Sequence, residues 1–547
     1  MLIARTWIAL LLVFSCAVSL CTAAFAQQSE ATSDKPVLGQ SLRYVNPLSL
    51  VTMSDDGSPR GVSIADVTAF RNGDTYYLFV TGGGAYVSTD MVRWEYQPAK
   101  FSQGNLPVAP HIFKFNDVYY LSGNSAPLYR SKAVLGPYEV AGPWTMANGE
   151  PFSGVSNGRR WTGSFDVAMF VDDDNKPYLY YAGRSTDGIY VVPLDPGEPH
   201  KFAAEPTHLF GYNADHVWER YGDRNEYIAD SWIEGPWVIK RDGIYYLQYC
   251  APGTQWLTYA TGVYTSRNPL GPFKYAPRNP ILRKTTGLVT GTGHGSVVQG
   301  PEGNWWQFYT IVLANPPGGR RIGMDPVGFD EDGNMFVRGP SDTPQWAPGI
   351  VADPVRNGDS GSIPLTVNKS RTLNTQSSFS SQRPGRDAAY ATDDSNGTYW
   401  QPAADDAQPT LTIDLAPATT FDPEEQFIVD SARIHFLAGV SRAGLLDVPG
   451  RPGRRAGRGT TPAETEAGND SKAHQYKIEV SMNGESFTTV FDKTNNDVAK
   501  YVEFEEIRPT TCRFVRLTIT GWPHKVGVPL GILEFTVFGK PVEPVKR

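Results

Sequence analysis

Ile233-Glu234-Gly235-Pro236-Trp237 runs into the apolar stretch Val238-Ile239-Lys240, turns at Arg241-Asp242-Gly243 and re-enters as Ile244-Tyr245-Tyr246-Leu247. An apolar run, a Gly-containing turn and an aromatic pair in that order predict a β-hairpin. One acid, Glu234, stands at the entrance to its first strand, beside a Gly-Pro turn and an indole. Taken alone, that acid is better explained by a turn cap or an arginine pair than by chemistry.

The pattern is not alone. Turn and aromatic strand recur as Asn72-Gly73-Asp74-Thr75-Tyr76-Tyr77-Leu78, Asn116-Asp117-Val118-Tyr119-Tyr120-Leu121, Asp174-Asn175-Lys176-Pro177-Tyr178-Leu179-Tyr180 and Gly303-Asn304-Trp305-Trp306-Gln307-Phe308-Tyr309. Each copy follows a run of strand character, at spacings of about forty to seventy residues, the size of a four-stranded propeller blade. Five copies predict an all-β chain whose first part is a five-bladed β-propeller. A sandwich with coincidental aromatics does not produce the repeat. Innermost strands of a propeller line a common axis, so the residues just before them converge on one mouth. Those entrances read Ser63-Ile64-Ala65-Asp66, Val108-Ala109-Pro110-His111, Gly163-Ser164-Phe165-Asp166, Ile233-Glu234-Gly235-Pro236 and Gly293-His294-Gly295-Ser296. Three carry an acid and two a histidine. Such groups are costly in a packed channel unless they serve a site.

The order Asp66, Asp166, Glu234, with Ala-Pro-His at the second entrance and Gly-His-Gly-Ser at the fifth, resembles glycoside hydrolase family 43 over residues 43–345. Asp66-Val67 departs from the Asp-Pro of many relatives. The resemblance implies an inverting hydrolase with Asp66 as general base and Glu234 as general acid, while Asp166 keeps Glu234 protonated and oriented. Inversion needs the acid and base roughly 6.5–9.5 Å apart, so that a water fits between base and sugar. His111, Trp161, Trp232 and Trp237 are candidate substrate contacts; the indoles could equally pack blades. Arg320 or Arg321 falls where relatives carry a substrate-facing arginine, and the sequence does not choose between them. His294 resembles the family's axial histidine beside a central cation or water cluster, with a plain core histidine as the alternative. The long polar and aromatic region 201–230 precedes Glu234 and predicts a pocket wall, favouring removal of terminal sugars. Asp230, near Glu234, lacks the Gly-Pro turn.

A net charge of −8 and a pI near 5.6 give no electrostatic reason to expect nucleic acid or an anionic membrane as partner. Residues 1–26 read as a signal peptide, with Arg5, an apolar run from Trp7 and an Ala24-Phe25-Ala26 cleavage site, predicting a secreted or periplasmic protein. Cys250 and Cys512 are expected as buried free thiols.

After a Pro/Gly/Ser-rich linker, 346–372, strand patterns return over 373–541: 411–415, 431–436, 476–481, 502–504, 514–519 and 532–537. Ala391-Thr392-Asp393-Asp394-Ser395-Asn396-Gly397-Thr398-Tyr399-Trp400, Ile413-Asp414-Leu415 and the late Glu534-Phe535-Thr536-Val537-Phe538-Gly539 resemble a discoidin-like β-sandwich of the carbohydrate-binding module family 32 type. That resemblance implies a structural calcium held by Asp393, Thr398 and Glu534; Asp394 replaces a common glycine. Trp522-Pro523-His524 is a candidate sugar contact, and 441–473 reads as a mobile surface loop. The expectation as a whole is an inverting exo-glycosidase acting on oligo- or polysaccharide, releasing arabinofuranose, xylose or galactofuranose. It needs no cofactor for its chemistry, and calcium would be structural in either domain. The alternative is a lectin-like, non-catalytic propeller.

Overall fold

A computed structural model describes residues 42–51, 63–82, 84–156, 159–162, 165–315, 319–368, 376–416, 425–437, 467–523 and 529–542, with the backbone alone for 153–156, 159–162 and 165. The 1–26 segment, most of 441–473 and His524 lie outside it. Five four-stranded antiparallel sheets follow one another along the chain, each built from consecutive strands. Their innermost strands are Ala65–Asn72, His111–Phe115, Phe165–Val171, Glu234–Arg241 and Gly293–Gln299. Each of these neighbours the next, and the fifth neighbours the first, closing a five-bladed ring.

The repeat seen in the sequence is the hairpin between first and second strands. In blade four, Arg241 pairs with Ile244 across Asp242 and Gly243, both at positive φ (51° and 73°). That is the turn whose twist matches the flanking strands, and it explains the Asp-Gly. Blade two makes the same turn with Asn116 and Asp117. The aromatic and branched residues then fill the spaces between blades. Phe113 and Tyr120 of blade two meet Val167 and Met169 of blade three. Val67 and Leu78 of blade one meet Phe308 and Met324 of blade five. The chain entering the ring pairs with the chain leaving it, Arg43 with Trp346 and Tyr44 with Gln345.

Two features escape the sequence pattern. A hairpin, Ser153–Ser156 with Arg159–Thr162, stands between blades two and three. Region 201–230 is not all wall, because Thr207–Phe210 forms the outer strand of blade three. The remainder is fixed by Glu219, whose carboxylate accepts from the Tyr249 hydroxyl (2.5 Å), the Asn213 amide (3.0 Å) and the His216 ring (2.7 Å).

Beyond the ring, sheets of four and five strands face each other around one apolar core that includes Trp400, Ile434, Leu517 and Phe535. The strap between ring and sandwich adds Ile363–Pro364 to the edge of the four-stranded sheet. Ring and sandwich belong to one compact unit, Arg43–Arg547. Arg433 of the sandwich donates to the Asn46 and Asp342 carbonyls at 2.7 and 3.1 Å. Arg43 of the ring donates to Asp430 at 2.9 Å and also meets Glu506 and Ser362. Cys250 and Cys512 are buried and free.

Within the sandwich, Arg513 meets Asp414 with two parallel bonds, both 3.0 Å, and the Asp414 side chain is 1% exposed. Arg513→Met removes the counter-charge of a buried carboxylate and leaves it only the Gln376 and Ala416 amides, and the expected loss is about 3–5 kcal/mol of stability. Urea unfolding measures it; a loss below about 1 kcal/mol would be the behaviour of a surface pair.

Candidate active site

Four inner strands open with the same irregularity. Regular pairing breaks between Ala65 and Thr68, Phe165 and Ala168, Glu234 and Trp237, and Gly293 and Ser296. At each bulge one residue takes positive φ: Asp66 (51°), Asp166 (43°), Gly235 (62°) and His294 (34°). Bulges re-aim side chains, and left-handed non-glycine residues are strained, a combination found at functional sites. Glu234 is therefore not in register with the two aspartates. It stands one residue earlier, and Gly235 takes the strained position. A Cβ on Gly235 would meet the His294 ring at 3.0 Å, so the glycine lets blades four and five close on each other. Blade two holds Ala109 at φ 48°, with His111 two residues further into the strand.

The three carboxylates share one buried mouth. His294 Nδ1 lies 3.5 Å from both Asp66 Oδ1 and Asp166 Oδ2. Asp166 Oδ2 accepts from the Gly235 amide at 3.1 Å, which links it to the segment carrying Glu234. Tyr259 donates its hydroxyl to Glu234 Oε1 at 2.8 Å. Arg320 Nη1 stands 3.4 Å from Asp66 Oδ1. Their electrostatic environments diverge. Burial pushes every carboxyl here upward, but Arg320, His294 and the Thr81 hydroxyl outweigh it at Asp66 and hold that group below the ordinary range. At Glu234, burial and then the like charge of Asp166 drive the carboxyl well above its ordinary value, against the Tyr259 bond. Asp166 is raised too, by burial, with His294 opposing and Asp66 adding to it. One acid is poised to be ionised and another to keep its proton within the same mouth.

The model of glycosyl hydrolases family 43 matches residues 61–335, half of the chain. The chain belongs to glycosyl hydrolase family 43. A second model, the F5/8 type C domain, matches residues 459–532. A beta-D-galactofuranosidase of Aspergillus niger is 30% identical over 248 residues, 42% of this chain and 64% of that protein. A xylosidase/arabinosidase of Butyrivibrio fibrisolvens is 27% identical over 280 residues, 46% and 49% of the two chains. The chain thus spans less than two thirds of these curated relatives. Among solved structures, a thermostable family-43 glycoside hydrolase superposes with a TM-score of 0.43 at 26% identity, covering 56% of this chain and 99% of that one.

In this family-43 chain the other predicted contacts fall in different places. Arg320 faces the mouth, whereas Arg321, its neighbour on an alternating strand, turns away and is buried beneath the Tyr501 ring. His111 is buried, and its Nε2 accepts from the Met169 amide at 2.9 Å, so it ties blade two to blade three. Its ring packs against Trp237 at 5.2 Å. Burial lowers its pKa to about 4, which keeps it neutral. Trp232 is half-buried and hydrogen-bonds Tyr221. Trp161 lies on the inserted hairpin, and its side chain is outside the described residues. Asp230 accepts from Ser185 at 3.0 Å and from the Ser231 amide, as a turn acid does. Tyr259 went unnoticed in the sequence; its only signal was an aromatic at the mouth of a strand.

Among the described residues, no group of three or more His, Cys, Asp and Glu side chains is placed to hold a metal ion. His294 turns its Nδ1 toward the two aspartates, 3.5 Å from each. In the sandwich, Thr398 donates to both oxygens of Asp393 at 3.0 and 2.9 Å, and Glu534 Oε2 accepts from the Asp394 amide at 3.0 Å. Glu534 Oε1 is fully buried and has no partner, beside the charges of Asp393 and Asp394. An orphaned carboxylate oxygen beside other oxygen ligands is the chemistry that a hard cation such as calcium would require, and Asp393, Thr398 and Glu534 are the residues that would hold it. Chelator treatment of the full chain is then expected to lower Tm, with recovery on adding calcium but not magnesium. An unchanged Tm would leave Glu534 to the Asp394 amide alone.

Proposed function

We propose that this chain is an inverting, exo-acting glycosidase that removes a terminal arabinofuranose, xylose or galactofuranose from an oligo- or polysaccharide. The observation that carries the reading is the divergence of Asp66 and Glu234 within one mouth. Glycoside hydrolysis needs a carboxylic acid to protonate the departing oxygen and a carboxylate to activate water on the opposite face. Glu234, kept protonated by burial and by Asp166, supplies the proton. Asp66, kept ionised by Arg320 and His294, takes one from water. Asp166 acts through Glu234, by its charge and through the Gly235 amide that it anchors. Tyr259 binds one oxygen of Glu234 and leaves the other free to carry the proton. The relatives named galactofuranosidase and xylosidase/arabinosidase support the choice of sugars. The segment fixed around Glu219, tied through Ser231 to the start of the Glu234 strand, favours a walled mouth and hence terminal cleavage. The sandwich would hold the enzyme to its glycan.

The test is hydrolysis of aryl α-L-arabinofuranoside, β-D-xyloside and β-D-galactofuranoside by the full chain, with NMR of the first-formed anomer. Release of one sugar with inverted configuration is expected. Glycan binding without release from any of the three would instead favour the lectin reading. The pH profile of kcat/KM should be a bell with unusually wide shoulders. Its acid limb follows Asp66 and lies below the ordinary carboxylate range; its alkaline limb follows Glu234 and lies above it. A single limb would contradict a two-carboxyl mechanism.

A further inference from the structure

One buried side chain of the sandwich gives its amide to the ring. Asn396 is 2% exposed and lies in the loop that also carries Asp393 and Thr398. Its Oδ1 accepts from the Ala314 amide at 3.0 Å, and its Nδ2 donates to the Leu288 carbonyl at 3.1 Å and to Thr290 Oγ1 at 2.7 Å. Both amide protons and one oxygen lone pair thus go to ring groups, and that pattern fixes which way the amide points. The backbone adds to it, because the Asn396 carbonyl accepts from the Asn315 amide at 3.0 Å. The two ring segments held in this way lead to the mouth. Thr290 stands four residues before His294, and its hydroxyl donates to the Val312 carbonyl at 2.7 Å. The Val312 amide returns a bond to the Thr290 carbonyl at 2.8 Å. Gly291, at φ 60°, permits the approach, since a Cβ there would meet that of Val312 at 2.6 Å. Val312 in turn pairs with Arg320 of the neighbouring strand. Two positions before Val312, the Thr310 hydroxyl donates to the His294 carbonyl at 3.1 Å and accepts from the Asp66 amide at 2.9 Å.

We infer that Asn396 is a positioning residue for the reaction: by joining segments 288–290 and 312–315, the sandwich sets where His294 and Arg320 stand relative to Asp66. The inference rests on Asp66 as the base. It goes beyond adhesion between domains, because other bonds of that contact, such as Ser49 Oγ to the Val502 carbonyl at 2.8 Å, touch neither segment. Reacting groups must be held to within about 0.5 Å, and a shift of about 1 Å caused from a distance costs about 100-fold in rate. Asn396 touches no carboxylate of the mouth; it acts through the backbone that carries their partners.

Asn396→Ala removes all three side-chain bonds. In the full chain, kcat/KM on the aryl glycoside that the wild type cleaves is expected to fall about 10–100-fold. The charged groups that face Asp66 are Arg320, His294, Asp166 and Glu234. Withdrawing the first two leaves burial to raise the Asp66 carboxyl, so the acid limb of the pH profile should move upward. Ser49→Ala also cuts a bond between ring and sandwich, and it should leave that limb in place. A folded Asn396→Ala with an unmoved acid limb, or an equal movement in Ser49→Ala, would overturn the inference. Should Asn396→Ala fail to fold, Thr290→Val keeps the shape and removes the hydroxyl between Asn396 and Val312. The same upward movement is expected there, and its absence counts against the inference. Crystals of the folded variant give a readout that needs no turnover. Arg320 Nη1 and His294 Nδ1, 3.4 and 3.5 Å from Asp66 Oδ1, should each withdraw by about 0.5 Å or more. Unchanged separations would refute the positioning role. Withdrawal in a chain whose wild type cleaves none of the glycosides would uphold that role and fault Asp66 as the base instead.

Discussion

Glu234→Gln is expected to cut kcat on natural glycosides by about 10²–10⁴-fold, the usual worth of a positioned general acid. The amide keeps the shape of the side chain and its contact with Tyr259 but has no proton to give. Sugars carried on a leaving group that departs without protonation, such as dinitrophenolate, should lose far less. The alkaline limb of the pH profile should vanish in the variant, because the group that set it no longer titrates. An equal loss on both classes of substrate would move the acid role away from Glu234.

Asp66→Asn is expected to cost a similar factor, about 10²–10⁴, but evenly across leaving groups. The base acts on water, and water is needed whatever departs. Arg320 provides a second handle on the same residue. With the guanidinium gone in Arg320→Met, Asp66 loses the first of the interactions that oppose its burial. The acid limb of kcat/KM should then move upward while the alkaline limb, set by Glu234, moves less. An acid limb that stays in place would mean that Asp66 is not the group titrating there.

The parts of this molecule written in short-range pattern were legible in the sequence. Aromatic pairs after Asn-Gly, Asn-Asp and Asp-Gly turns mark hairpins because the turn chemistry and strand propensity are both local. Counting them gave the ring, and reading one step upstream gave Asp66, Asp166 and Glu234 together. What could not be read depends on geometry between elements. Bulges displace Glu234 by one residue from the aspartates, and nothing in Glu234-Gly235-Pro236 announces that Gly235 occupies their position. Arg320 and Arg321 are adjacent on a strand, so one must face the mouth and the other must not, but only the partners of that strand decide which. His111 sits at an entrance by sequence, yet two residues of extra depth bring it to the Met169 backbone instead. Tyr259 reaches Glu234 from a loop of the same blade, twenty-five positions on, with no repeat to reveal it.

Among the described residues every blade is made of consecutive strands, and none is lent from the end of the ring to its beginning. Blade one and blade five are therefore joined by side-chain packing and by isolated bonds such as Ser296 Oγ to the Ala69 amide, 2.7 Å. Asp66 and His294 stand on the two sides of that seam. Its outer side is bridged by the Arg43–Trp346 pairing and by Arg433, which grips the chain where it enters and where it leaves. Mechanically, the sandwich is the clasp of a bracelet, and the bracelet's opening runs through the mouth that holds the three carboxylates.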